Sequence, residues 1–125
     1  VLQVLIVDDS KLSRSMAVRA VASMGHTVWE ATDGQHAVET LERQSVDLVI
    51  TDLLMPVLGG FELIERIRQI RPNLPVVVVS ADVQLTSRER GEELGCVAFL
   101  RKPVNPQELA EVIQGVLSTG GVACD

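Results

Sequence analysis

VVVV at residues 76–79, set between Pro75 and Ser80, is the stretch on which the fold turns. Four consecutive β-branched residues with no polar alternation fit a strand covered on both faces, as in the middle of a parallel sheet. On both sides of it, strand-like and helix-like runs alternate. VLIV (4–7), TVWEA (27–31), LVIT (48–51) and VAFL (97–100) read as further strands, the second of them more exposed. Ser10 can cap a helix over about 11–24, which Gly25 ends. Asp33 can cap another over about 34–44. Apolar residues at 61, 63, 64, 67 and 70 give helical spacing, and Pro72 stops that run. A polar helix is expected over about 84–93, before Gly95. Asn105 as cap, Pro106 at the first helical position and Glu108 reaching back mark a last helix, to about Leu117. Five strand–helix units in strict alternation imply a parallel sheet with helices on both faces. In such sheets, sites form beyond the carboxyl ends of the strands.

The 125 residues suit a single domain over 1–125, with a core over about 3–117 and a tail or linker start at 118–125. Hydrophobic residues make up 46% but aromatics only 2%, so the core must be aliphatic. A net charge of −6 argues against direct binding to nucleic acid or to an anionic membrane surface. No apolar run approaches the length of a membrane span, and no signal segment opens the chain. The absence of an initiator Met and the ending STGGVACD fit a trimmed chain or a domain of a larger protein. Cys96 and Cys124 read as free thiols of a reducing, cytoplasmic setting.

The polar residues fall in a pattern. Asp8 and Asp9 follow the first strand, Asp52 the third, Ser80 the fourth and Lys102 the fifth. All can face one crevice at the carboxyl edge of the sheet. Taken singly, each acid reads as a cap or turn residue. Three carboxylates together repel one another unless a cation sits among them. Oxygen ligands without His or Cys suit a hard cation such as Mg²⁺. A lysine ammonium and a hydroxyl beside them suit phosphoryl oxygens, so an Asp here could attack phosphorus and form an acyl phosphate.

VDD (7–9), TDLLMP (51–56), SAD (80–82) and RKP (101–103) together resemble the receiver domain of two-component response regulators, over about residues 3–117. The resemblance implies a flavodoxin-like, doubly wound (βα)5 fold with strand order 2-1-3-4-5. It implies that Asp52 is the phosphoacceptor, taking a phosphoryl group from the phosphohistidine of a sensor histidine kinase or phosphotransfer protein. Asp9, Asp8, Asp52 and the main-chain carbonyl of Leu54 would hold Mg²⁺, for which Mn²⁺ could substitute. Lys102 would contact the phosphate, Ser80 would be the switch hydroxyl and Phe99 the switch aromatic. The Lys102–Pro103 bond would be cis. The signal would leave through the surface of helix four, strand five and helix five, to an attached or separate output, with phosphorylation-dependent homodimerisation as a further expectation. Such a domain assists its own phosphorylation and dephosphorylation without turning over a separate substrate.

The chain departs from the common pattern at Gly59-Gly60, where an acid or amide often precedes the second glycine, and this loop is expected to be more mobile. Leu54 offers the site only an apolar side chain, and Asp82 adds an acid near its mouth. His26 and His36 read as helix-end residues rather than ligands, Trp29 and the methionines as packing residues, and RERGEE (88–93) as a solvated helix face. Three other functions fit less well. An Asp-nucleophile phosphohydrolase typically needs a second acid two residues after its nucleophile, where this chain has Leu54, or Ser10 if Asp8 is the nucleophile. A flavin carrier needs a Ser/Thr/Gly-rich first loop, not Asp8-Asp9. A P-loop nucleotide enzyme needs GxxxxGK[ST], which does not occur.

Overall fold

In the computed structural model, Val76–Ser80 form the fourth strand, β4, and all five residues are buried. The packing explains the missing polar alternation. Val76 and Val78 join the apolar cluster on one face of the sheet, Val77 and Val79 the cluster on the other. The structure describes residues 1–53, 58–81 and 85–118, by backbone alone at 85–88 and 118.

The remaining strands are β1 (Gln3–Val7), β2 (Thr27–Ala31), β3 (Leu48–Thr51) and β5 (Ala98–Arg101). They pair parallel in the order β2-β1-β3-β4-β5. This is the flavodoxin-like order expected above, with β1 and β3 flanking the point where the strand order reverses. The helices are α1 (Lys11–Ser23), α2 (Gly34–Arg43), α3 (Gly60–Ile70), α4 (Leu85–Glu93) and α5 (Pro106–Ser118).

Helical periodicity decides which helix covers which face. In α1 and α5, Ala17, Ala20, Val21, Leu109, Ile113 and Val116 join Val4, Ile6, Leu48 and Ile50. In α2 and α3, Ala37, Val38, Leu41, Leu63, Ile64 and Ile67 join Leu5, Val7 and Val49. Each fully buried Val, Leu or Ile contributes about 1.5–3 kcal/mol relative to its exposed state. An aliphatic core of this kind leaves the sheet rigid up to its carboxyl edge.

The caps hold as the sequence predicts. Ser10 Oγ accepts the Ser13 N–H at 3.3 Å and Asp33 Oδ1 the His36 N–H at 2.8 Å. Asn105 Oδ1 accepts the Gln107 and Glu108 N–H groups at 2.9 and 3.3 Å. Gly25 and Gly95 leave α1 and α4 at φ of +89° and +83°, a region that favours glycine. The fifth strand sits one residue later than VAFL. Ser80 pairs with Arg101, and Arg101 is tolerated because β5 is an edge strand where a charged side chain reaches solvent.

Both histidines act as acceptors. His26 Nδ1 takes the Leu2 N–H at 3.1 Å and His36 Nδ1 the Thr32 N–H at 3.3 Å. The Trp29 indole N–H donates to Gln3 Oε1 at 2.9 Å while its ring packs on the α2–α3 cluster. Cys96 is a half-buried thiol. In α4, Arg90 pairs with Glu65 at 2.9 Å and lies 4.9 Å from the centre of the Phe61 ring, so this part of the RERGEE face is tied to α3.

Candidate functional site

The site begins where the ladders end. The Asp8 N–H donates to the Ala31 carbonyl at 3.1 Å, the Asp52 N–H to the Val7 carbonyl at 3.1 Å, and the Lys102 N–H to the Ser80 carbonyl at 2.9 Å. Each residue is therefore one hydrogen-bonded step beyond a strand, so the rigidity of the sheet passes directly to its side chain. The sequence-predicted residues Asp8, Asp9, Asp52, Ser80 and Lys102 all lie at this one edge.

Asp8 and Asp52 are buried and Asp9 is exposed, and carboxylate oxygens from all three lie within 4.8 Å of one another. Lys102 Nζ sits 2.9 Å from Asp8 Oδ2 and 2.8 Å from Asp52 Oδ2. The other oxygens are held by the backbone. Asp8 Oδ1 accepts the Ser10 N–H at 2.9 Å, and Asp52 Oδ1 accepts the Leu53 N–H at 2.7 Å. Three carboxylates against one ammonium leave a surplus of negative charge at a partly buried edge, the setting in which a hard divalent cation binds. The acid cluster could hold such a metal.

Burial of the Lys102 amine works against its charged form. The hydrogen bonds it donates to Asp52 and Asp8, and their charges, outweigh that and raise its pKa above the ordinary 10.5. Lys102 is thus a fixed positive charge at neutral pH. Ser80 is fully buried at the end of β4, between the strands that carry Asp52 and Lys102. The Lys102–Pro103 bond is cis. Phe99 is half-buried on β5 and packs on the α2–α3 face. Its ring lies over Gly91 of α4, where an added Cβ would come within 2.6 Å of Cε1. Leu54 and Asp82 lie outside the described residues.

The two glycines of the 59–60 pair differ. Gly60 abuts Asp52, and a Cβ there would meet the Asp52 carbonyl oxygen and Leu53 Cα at 2.5 Å. Gly59, by contrast, has no neighbour closer than 3.9 Å to such a Cβ among the described residues. Gly59 is the N-cap of α3, without a side-chain cap.

Two polar residues near this edge, Arg14 and Thr51, and one at the opposite edge, Arg68, escape a reading by motif. Arg14 Nη1 donates to the Asp8 carbonyl at 2.8 Å and its Nε to Glu30 Oε1 at 3.0 Å. Thr51, fully buried, donates from Oγ1 to the Asp52 carbonyl at 2.9 Å. Arg68 ties the end of α3 to the turn after α4, with bonds to the Leu94 and Leu74 carbonyls at 2.6 Å each and to Gly95 at 3.1 Å. The only sequence signal for Arg14 is its place six residues after Asp8, in the first turn of a capped helix.

Comparison with known proteins agrees with this fold. The family model described as "Response regulator receiver domain" matches residues 4–114. The chain is 33% identical over 116 residues to the DNA-binding transcriptional regulator NtrC of Azospirillum brasilense, covering 93% of this chain and 24% of that protein. It is 32% identical to the transcriptional regulatory protein TcrA of Mycobacterium tuberculosis, covering 96% of this chain and 47% of that one. It is also 33% identical to the sensor histidine kinase RcsC of Salmonella typhi, covering 90% of this chain and 12% of that protein. The chain thus spans half or less of these curated relatives. Among solved structures, Vibrio cholerae chemotaxis protein CheY4 superposes with a TM-score of 0.87 at 30% identity, over 92% of this chain and 98% of that one. A response regulator receiver protein from Pseudomonas putida gives 0.86 at 34% identity, over 91% and 96%. With an ordered acid–lysine edge on a β2-β1-β3-β4-β5 sheet and a family match spanning nearly its whole length, this chain belongs to the response regulator receiver domain family of two-component systems.

Proposed function

We propose that the chain is a phosphorylation-dependent switch whose phosphoacceptor is Asp52. The observation that carries this reading is the Lys102 ammonium held between Asp8 and Asp52, within a three-carboxylate cluster at the end of the sheet. An Asp52 carboxylate oxygen attacks the phosphorus of a phosphohistidine on a sensor histidine kinase or phosphotransfer protein. The P–N bond breaks, the imidazole leaves and takes a proton, and an acyl phosphate remains on Asp52. Asp8, Asp9 and Asp52, with the Leu54 carbonyl, would hold Mg²⁺ or Mn²⁺. When bound, that ion supplies positive charge to the phosphoryl oxygens as the bond changes partners.

This chain's own residues do the rest. Lys102 neutralises one phosphoryl oxygen from a site already fixed by two carboxylates. Ser80 donates a hydroxyl hydrogen bond to another. As Ser80 moves toward the phosphoryl group, Phe99 turns inward and the α4–β5–α5 surface changes, a two-state element biased by a local charge event. The altered surface controls an attached or separate output, which includes a second copy of the domain. The acidic domain itself does not bind nucleic acid, works in the cytoplasm, and turns over no separate substrate.

The test is phospholabelling with Mg²⁺ and a small phosphodonor such as acetyl phosphate. Wild type is expected to take up one acid-stable, base-labile phosphoryl group, and Asp52→Asn none. Labelling that survives in Asp52→Asn would sink the assignment.

A further inference from the structure

The Asp9 carboxylate completes the acid cluster, yet among the described residues no hydrogen bond or ion pair holds it. Its direction is therefore set by the backbone that carries it. That backbone is the Asp8–Asp9 peptide, whose carbonyl accepts from Arg14 Nη1 at 2.8 Å. The Arg14 guanidinium is anchored in turn, with Nε 3.0 Å from Glu30 Oε1 and the side chain only 15% exposed. Glu30 lies on β2, in register with Ile6 of β1. Arg14 itself is fixed at the start of α1, where its N–H donates to the Ser10 carbonyl at 2.9 Å. The main chain of Asp8 is thus held at both of its peptides: the N–H of the Val7–Asp8 peptide by Ala31 of β2 and the carbonyl of the Asp8–Asp9 peptide by Arg14 of α1.

We infer that Arg14 is a positioning residue for the metal site: a planar fork that locks the Asp8–Asp9 peptide against β2 and so aims Asp9 into the cluster. Lysine could not do the same, because one ammonium on a flexible stem lacks the fixed fork that serves a carbonyl and a carboxylate together. The guanidinium also adds positive charge beside acids that must be brought together before a cation arrives. Loss of outer partners that orient ligands typically costs about 10–100-fold in metal affinity. Arg14 acts on one carboxylate of the three through the main chain, so the low end of that range applies.

This inference rests on the proposed metal-dependent function, and its experiment separates the two. Mg²⁺ is titrated calorimetrically into wild type, Arg14→Gln and Glu30→Gln, with urea unfolding in EDTA reporting the metal-free fold of each. Arg14→Gln is expected to bind Mg²⁺ about 10-fold more weakly. Glu30→Gln changes a half-exposed side chain and keeps the Asp8 contact, so it is expected to weaken binding by a smaller factor in the same direction. A purely structural Arg14 would lower the metal-free stability and leave the Mg²⁺ affinity of the folded variant unchanged, which overturns the inference. If Arg14→Gln does not fold, Glu30→Gln decides it, and wild-type affinity in that variant overturns it equally. A wild-type chain that binds no Mg²⁺ refutes the proposed function, and this inference with it.

Discussion

Replacing Lys102 with Met asks whether this ammonium is the counter-ion that lets the acids coexist. Met keeps most of the apolar stem but removes the charge and both hydrogen bonds, at 2.9 Å to Asp8 and 2.8 Å to Asp52. Both acid side chains are only 8% exposed, so water replaces the ammonium poorly. Carboxylate oxygens of the cluster lie within 4.8 Å of one another. At that separation and an effective dielectric constant near 20, two such charges repel by about 3.5 kcal/mol. Removing one partner of a buried ion pair generally costs about 3–5 kcal/mol. We therefore expect Lys102→Met to lose about 3 kcal/mol of metal-free stability, toward the low end because the site borders solvent. Mg²⁺ should then stabilise the variant more than the wild type, since the carboxylates no longer have to release an ammonium to take up the metal. Urea unfolding followed by far-UV circular dichroism, in EDTA and in millimolar MgCl₂, reads both effects. Equal metal-free stabilities, or a smaller Mg²⁺ gain in the variant, would refute the counter-ion reasoning.

Three further outcomes follow from the same geometry. Lys102 has its pKa raised on folding, so its contribution is complete below its ordinary value and is lost as pH rises through the folded one. The stability gap between wild type and Lys102→Met should therefore be flat from neutrality to about pH 10 and close only above it, and a gap that closes by pH 9 contradicts the pairing. Gly91→Ala would set a Cβ 2.6 Å from Phe99 Cε1, against an ordinary carbon contact of about 3.5–4.0 Å. Overpacking of about 1–3 kcal/mol should outweigh a helix-propensity gain of about 1 kcal/mol in the wild-type background. In a Phe99→Ala background the same change should become stabilising, and a cycle without that change of sign rejects the contact. Gly60→Ala should destabilise and impair phospholabelling, because the Asp52 carbonyl cannot retreat without moving the carboxylate. Gly59→Asp should instead gain a few tenths of a kcal/mol as a helix cap, and a matching loss at both positions would show the loop reading to be wrong.

The fold was legible because periodicity carries it. VVVV declared a two-faced central strand, and Val76 with Val78, and Val77 with Val79, do divide between the two faces. Ser10, Asp33 and Asn105 announced helix starts through a local chemistry that tertiary packing did not override. β1 and β4 each run one residue longer than expected, and β5 alone shifted as a whole, by one residue, since an exposed Arg101 looks like loop in a sequence but costs little at a sheet edge. The site was legible for a related reason. Alternating strands and helices send every strand's carboxyl end to one side, so acids placed after β1 and β3 must meet a lysine placed after β5.

What stayed hidden shares one physical feature: it acts through the main chain. Arg14 holds the Asp8 carbonyl, and Arg68 holds the carbonyls of Leu94, Leu74 and Gly95. Gly60 is required because the Asp52 carbonyl passes beside it, and Gly91 because the Phe99 ring does. A carbonyl is present at every residue, so the partner of such a bond leaves no trace in residue type, and a glycine is silent about what approaches it. The same feature makes these contacts effective. A side chain that grips a carbonyl fixes a peptide plane, and a peptide plane aims the side chains on both sides of it. The acids of this edge can therefore be written in the sequence, while the precision with which they meet is set by Arg14, which no motif in the chain announces, and by Gly60, whose residue type does not say that the Asp52 carbonyl passes beside it.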